Sequence, residues 1–147
     1  MAKTKEINFF RVGEPYGFFC NFYMSTIIVD GKMYRSVEHY YQSRKPTDRR
    51  VRQRIIDSRD GLRAFRIGHT LGKEEIRPDW DSIKVKVMKK ALKAKFSQNP
   101  HLREMLLETG NATLHENSPW DMYWGIKGKD MLGKLLMELR SELRKKQ

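Results

Sequence analysis

Leu132, Leu135, Leu136, Leu139 and Leu143 recur at spacings of three and four, which marks one apolar face of a helix. A stripe this complete has to be buried against other elements, so these leucines belong to a core and are assigned no chemistry. They predict a last helix from about Met131 to Leu143, with Asp130 as its cap. A second pattern predicts the longest helix, from about Trp80 to Gln98, capped by Asp79 or Asp81. Projected at about 100° per residue, Trp80, Val87, Met88 and Ala91 share one face, and Lys86, Lys89, Lys90 and Lys93 the other. Lys84 and Lys95 fall within the apolar stripe. Burying an ammonium without a partner costs on the order of several kcal/mol, so either these two snorkel past the stripe to water or they meet an anion.

The rest of the chain reads as short helices behind a small β element. Ile7-Asn8-Phe9-Phe10 has the look of a short strand. Ser25 to Val29, the turn Asp30-Gly31, and Lys32 to Arg35 form a hairpin pattern in which glycine accepts the positive φ of a type I′ turn. Ser36 can cap a helix running to about Arg44, which Pro46 stops. Another helix is predicted from about Asp48 to Ser58, with Val51 and Ile55 on one side and Arg49, Arg50, Arg52 and Arg54 elsewhere. Gly61 should end that register, and an amphipathic piece with Leu62, Phe65 and Ile67 should stop at Gly68. Asn99 and Pro100 open a further helix carrying Leu102, Met105 and Leu106, with Gly110 as its left-handed terminal residue. Ala112 to Glu116 reads as extended. The expected fold is mainly α, a multihelical single domain over 1–147 (core about 7–143) with a small N-terminal antiparallel β element.

Bulk properties narrow the function classes. Thirty Lys and Arg against 18 Asp and Glu give a formal charge of +12, a field that attracts phosphate-bearing partners without distinguishing polymers from small anions. The single Cys20 cannot form an intrachain disulfide, which fits a reducing compartment. No apolar run is long enough for a membrane span, and Met1-Ala2-Lys3-Thr4-Lys5-Glu6 lacks the apolar core of a signal peptide. The expectation is a cytoplasmic protein with no membrane partner. His39, His69, His101 and His115 show no metal spacing with Cys20 or one another, and neither a Walker phosphate loop nor a dinucleotide fingerprint is present, so no metal and no cofactor are expected. Gly125-Ile126-Lys127-Gly128-Lys129 reads as a flexible basic loop.

Four stretches are explained neither by core nor by capping. They are Cys20 to Tyr23, Val37 to Lys45, Arg77 to Lys84, and the aromatic loop Asn117 to Gly125. Glu38 is the most unusual residue among them: a carboxylate in a first helical turn, where the helix dipole favours it, yet set among aromatic residues. Its bottom-up reading is either helix-start capping or chemistry.

Phe19-Cys20-Asn21-Phe22-Tyr23, Asp30-Gly31-Lys32, Val37-Glu38-His39-Tyr40-Tyr41-Gln42, Asp79-Trp80-Asp81, Ala94-Lys95-Phe96, Leu107-Glu108-Thr109-Gly110, Tyr123-Trp124-Gly125 and Leu132-Gly133-Lys134-Leu135-Leu136-Met137 occur in an order that resembles the NADAR family, also called YbiA-like, from about Ile7 to Leu143. The resemblance implies an N-glycosidase, a hydrolase that breaks the bond between ribose C1′ and nitrogen. The implied substrates are phosphorylated riboflavin-biosynthesis intermediates, with release of ribose 5-phosphate as metabolite damage control. An alternative is removal of ADP-ribose from modified guanine, in which case nucleic acid could carry the substrate. A reading from a different class is a non-catalytic basic module that binds nucleic acid, with Arg49 to Arg54 as the backbone track.

Breaking a ribosyl C–N bond builds an oxocarbenium-like cation, which a buried carboxylate stabilises while activating water. With the resemblance, Glu38 becomes the candidate for that task. Asp121 is the candidate to polarise the leaving base, against a local-turn reading. Trp80 and Trp124 could sandwich the base, although Trp80 equally suits a core anchor. Asn21 could hydrogen-bond ribose or base, or close a strand end. Lys84, Lys45 and Arg77 are phosphate candidates, and Lys95 is either a substrate contact or the partner of Glu38 or Asp121. The motif also brings His39, Tyr41 and Gly125 into the substrate-binding set. Cys20 in place of serine, Ser43-Arg44 in place of alanine-glutamine, and Asp130 in place of asparagine depart from the family pattern. These changes bear on substrate identity rather than reaction type.

Overall fold

The computed structural model describes residues 5–147, so the Met1–Thr4 part of the leader reading lies outside the described residues. The chain forms two compact units: a central unit, Asn21–Gln98, and a terminal unit combining the N-terminal residues up to Cys20 with Asn99–Gln147.

In the central unit, β2 (Ile27–Val29) and β3 (Lys32–Tyr34) pair antiparallel across Asp30-Gly31. Both turn residues have positive φ, 51° and 79°, as a type I′ turn requires. The hairpin is held to α4 (Trp80–Gln98) by the Gln98 amide, which brackets the Ile28 backbone at 2.8 and 2.7 Å, and by Lys90 pairing with Asp30 at 2.7 Å. Helix α1 (Val37–Ser43) starts at Ser36, whose hydroxyl accepts the His39 N–H, and every one of its residues is buried. Helix α2 (Arg49–Ile56) is capped by Asp48, which accepts from the Arg50 N–H at 2.7 Å.

Helix α3 corrects the sequence expectation. Gly61 begins the helix rather than ending one: Asp60 caps it, and it runs Gly61–His69. Its buried residues are Gly61, Ala64 and Gly68, whereas Leu62 is 43% exposed. Small residues face inward because the neighbours come too close for larger ones. A Cβ on Gly61 would lie 2.9 Å from the Phe22 Cα, and one on Gly68 would collide with the Gln42 side-chain oxygen. In α4 the lysine stripe resolves two ways. Lys95 is 1% exposed and does not snorkel, while Lys84 is partly exposed and reaches Asp81 at 3.4 Å. The Asp79 carboxylate, a candidate cap, instead grips Arg77.

In the terminal unit, β1 (Glu6–Phe9) runs parallel to β4 (Thr113–Glu116), with Glu6 opposite Thr113 and Phe9 opposite Glu116. Helix α5 (Pro100–Glu108) is followed, after its cap Thr109, by Gly110, whose φ is +61°. Helix α6 (Met131–Lys145) buries the leucine stripe and packs on β4. Asp130 precedes it in left-handed conformation, φ 52°, and its side chain makes no cap. The Asp130 carboxylate turns away, accepting the Glu116 N–H at 3.3 Å and bonding His115 Nδ1 at 2.6 Å. Among the described residues, no helix is long and apolar enough to cross a membrane.

Candidate functional site

The central unit carries most of the candidates. Glu38 is 4% exposed. Its N–H donates to the Asn21 carbonyl at 3.1 Å, and its Oε1 accepts the Gln42 side-chain amide at 2.7 Å, one helical turn on. Helix α1 thus delivers a buried carboxylate whose orientation is set from its own face. Asn21 stands beside the start of that helix, and its Oδ1 is buried with no hydrogen-bond partner. A buried acceptor in that state costs free energy until something donates to it.

Tyr41, Trp80 and Lys45 form a second group. The Tyr41 and Trp80 rings lie 5.0 Å apart and tilted by 59°. The Lys45 ammonium sits 5.7 Å from the first ring centre and 5.9 Å from the second, within cation–π range. Trp80 is only 8% exposed, which is the environment of a core anchor. The Lys45 carbonyl accepts the Arg77 N–H at 2.9 Å, tying these two phosphate candidates together through their backbones. The Arg77 guanidinium holds Asp79 through two bonds of 2.6 and 3.0 Å. Lys95 Nζ lies 5.5 Å from the Tyr23 ring centre and 5.3 Å from that of Phe96.

His39 belongs to the scaffold. Its Nε2 faces the Ser58 carbonyl at 3.0 Å, which can only accept, so that nitrogen carries the proton; Nδ1 then accepts from the Ser36 hydroxyl at 2.7 Å. Both nitrogens are used within the protein and the residue is 0% exposed, so His39 fixes the entry to α1. Burial lowers its pKa below the ordinary 6.5, against the Ser58 bond that favours the charged ring. The folded pKa is therefore below the unfolded one, and the unfolded chain binds more protons in between. The stabilisation is present above about pH 6.5 and is lost as the pH falls through the folded value. Urea titrations should accordingly show stability declining below that pH, and the His39 imidazole should stay neutral by NMR where an exposed ring has charged.

The terminal unit holds the aromatic loop. Ser118 Oγ accepts the N–H groups of Trp120 and Asp121, and Asp121 Oδ1 accepts those of Tyr123 and Trp124 at 3.0 and 2.8 Å. The local-turn geometry foreseen as the alternative for Asp121 is therefore present, and it positions the Trp124 backbone. The Trp124 ring is partly exposed and edge-on to Tyr123 at 4.9 Å. Gly125 is buried; a Cβ there would lie 2.6 Å from the Asp121 carbonyl oxygen and 2.7 Å from Glu116 Oε2.

Glu116 was not among the sequence candidates. Burial, reinforced by the negative charges of Asp121 and Asp130 and opposed by a Ser118 backbone hydrogen bond, pushes its carboxyl up to about 7. Its position at the end of a short strand carries no local signal of this, because the charges responsible converge only in the folded unit. Among the described residues, no three His, Cys, Asp or Glu side chains gather as a metal-binding group.

The sequence model of the NADAR domain matches residues 8–144. The chain is a member of the NADAR family. It is 44% identical over 141 residues to the N-glycosidase YbiA of Escherichia coli K12, covering 93% of this chain and 88% of that protein. An N-glycosidase of Nostoc punctiforme is 37% identical, with 94% and 92% covered. A riboflavin biosynthesis protein of Vibrio vulnificus is 38% identical across 93% of this NADAR chain, which spans 38% of that longer protein. The NMR structure of E. coli YbiA superposes with a TM-score of 0.90 at 41% identity, over 99% of this chain and 89% of that one. The mainly helical NADAR fold expected from the motifs is thus the fold observed.

Proposed function

We propose that this NADAR protein, acting as one domain over 1–147, is an N-glycosidase. It hydrolyses the ribosyl C1′–N bond of phosphorylated riboflavin-biosynthesis intermediates and releases ribose 5-phosphate. The observation that carries the reading is the burial of Glu38, at 4% exposure, with its carboxylate oriented by Gln42. Charge in a water-poor setting acts on a developing cation far more strongly than the same charge in water. As the C–N bond lengthens, Glu38 stabilises the oxocarbenium ion and then takes a proton from the water that adds to C1′. Asn21 Oδ1 accepts from a ribose hydroxyl, which would satisfy its buried oxygen. Lys45, Lys84 and Arg77 bind the phosphate, and Tyr41 and Trp80 shape the place of the base. The relatives named N-glycosidase, and the one named for riboflavin biosynthesis, support this reaction class and substrate.

The test is incubation of the purified protein with the two phosphoribosyl aminopyrimidines, scoring ribose 5-phosphate and free base. Release of both supports the reading. Inertness toward them, with hydrolysis of ADP-ribosylated guanosine, would move the substrate to the ADP-ribosyl alternative while keeping the reaction. Inertness toward all of them, with nucleic-acid affinity that falls steeply with salt, would make the protein a binding module.

A further inference from the structure

We propose that Gly68 and Gln42 are positioning residues for the reaction: the missing side chain of Gly68 leaves the Gln42 amide the room it needs to hold the Glu38 carboxylate in one orientation. This rests on the N-glycosidase reading, with Glu38 as the group that faces the cation, and adds to it what sets that carboxylate in place. All three residues belong to the central unit.

The contact between Gln42 and Glu38 is local. The two stand four residues apart in α1, which puts them side by side on one helix face, and the Gln42 side-chain N–H donates to Glu38 Oε1 at 2.7 Å. Both side chains are buried. An ionised carboxylate only accepts, so the amide has to present its nitrogen and turn its oxygen the other way. That oxygen, Gln42 Oε1, is buried and has no hydrogen-bond partner. Leaving an acceptor in that state costs free energy, and a glutamine that served packing alone would be expected to satisfy both ends. Gln42 gives up one end and keeps the other on Glu38.

What the oxygen meets instead is α3. Gly68 lies one residue before the end of that helix. A Cβ there would collide with Gln42 Oε1 and come within 2.7 Å of its Cδ and 3.2 Å of its Cβ. Alanine is the better helix former, and the φ of Gly68 is not positive, so neither propensity nor backbone conformation calls for glycine at this position. The closeness of Gln42 does. With a methyl group at position 68 the amide has to rotate or withdraw. Every residue of α1 is buried, so the movement falls on the side chain whose other end holds Glu38. A carboxylate already fixed in place needs no reorientation as the cation forms, which is what makes its charge effective in the transition state.

The experiment measures kcat and KM for release of ribose 5-phosphate from the aminopyrimidine riboside 5-phosphate by wild type, Gly68→Ala and Gln42→Met, each also in the Glu38→Gln background. Gly68→Ala and Gln42→Met should each lower kcat by about 10–100-fold, the worth of one hydrogen bond to a charged group, with KM within a few-fold of wild type. In the Glu38→Gln background no charge is left to hold, and each should change kcat by less than about twofold. Gly68→Ala should likewise be silent in a Gln42→Ala protein, which lacks the amide that the new methyl group would strike. Folding of Gly68→Ala only together with Gln42→Ala would support the contact and leave the Gln42→Met cycle to decide the catalytic role. Wild-type kcat in Gly68→Ala, a loss that falls on KM, or losses of the same size with and without the Glu38 charge would overturn the positioning role. So would a Gly68→Ala protein that fails to fold whether or not Gln42→Ala is present. In each of those cases a slow Glu38→Gln leaves the glycosidase reading standing, whereas a wild-type protein that releases no ribose 5-phosphate would overturn both.

Discussion

Glu38→Gln is expected to lower kcat for ribose 5-phosphate release by about 10²–10³-fold, the usual consequence of removing one preorganised electrostatic stabiliser, with KM changed far less. The replacement keeps the size of the side chain and an oxygen that can still accept the Gln42 amide, now 2.7 Å from Glu38 Oε1. The Glu38 N–H, which donates to Asn21, is unaffected. What disappears is the full negative charge that faces a cation present only near the transition state, so the loss belongs in kcat rather than in ground-state binding. Thermal unfolding of the variant should stay close to that of wild type. A variant with wild-type kcat would remove Glu38 from the mechanism.

The second large effect is on folding. Gly133 lies in the first turns of α6, where an added Cβ would run into the backbone carbonyl of Leu114 in β4 and come within 3.0 Å of Asp130 Oδ1. Neither neighbour can yield cheaply. Leu114 is paired with Ile7 across the parallel ladder, and Asp130 holds both His115 and the Glu116 N–H. Gly133→Ala therefore has to push α6 off β4, which places it at or above the upper end of the ~1–3 kcal/mol that overpacking typically costs. At this chain length that corresponds to a fall in Tm on the order of 10 °C. In urea the midpoint should drop with an unchanged slope.

These two residues also mark what the sequence could and could not disclose. Glu38 stood out because its surroundings are local: a hairpin, a capping serine and an aromatic helix, all within about a dozen residues. The leucine stripe of α6 and the Asp30-Gly31 turn were legible for the same reason, since periodicity and φ preference act over neighbouring residues. Gly61, expected to end a register, instead opens α3, whereas the expected stop at Gly68 lies one residue from the helix end at His69. The rule that glycine ends helices carries no knowledge of Phe22 and Gln42 closing against α3. The parallel pairing of Glu6 with Thr113 joins residues more than a hundred positions apart, and each strand alone looked like an isolated extended piece. Lys95 was recognisable as misplaced in its stripe, but its near-complete burial between aromatic rings follows from the packing of Tyr23. Glu116 gave no signal at all, because its carboxyl is pushed up by burial and by the approach of Asp121 and Asp130, which exist only in the folded unit. Arg77 stands out in the sequence by its charge, which Asp79, two residues on, engages while the Arg77 N–H donates to the Lys45 carbonyl.

The most direct test of the account is the hydrolysis rate of the aminopyrimidine riboside 5-phosphate carrying deuterium at C1′, compared under single-turnover conditions with the protium substrate. If the wild-type protein builds cationic character at that carbon, which Glu38 is placed to stabilise, the C1′–H bond loosens on the way to the transition state. The deuterated substrate should then release ribose 5-phosphate measurably more slowly. Equal rates, a faster deuterated substrate, or no release from either would contradict it.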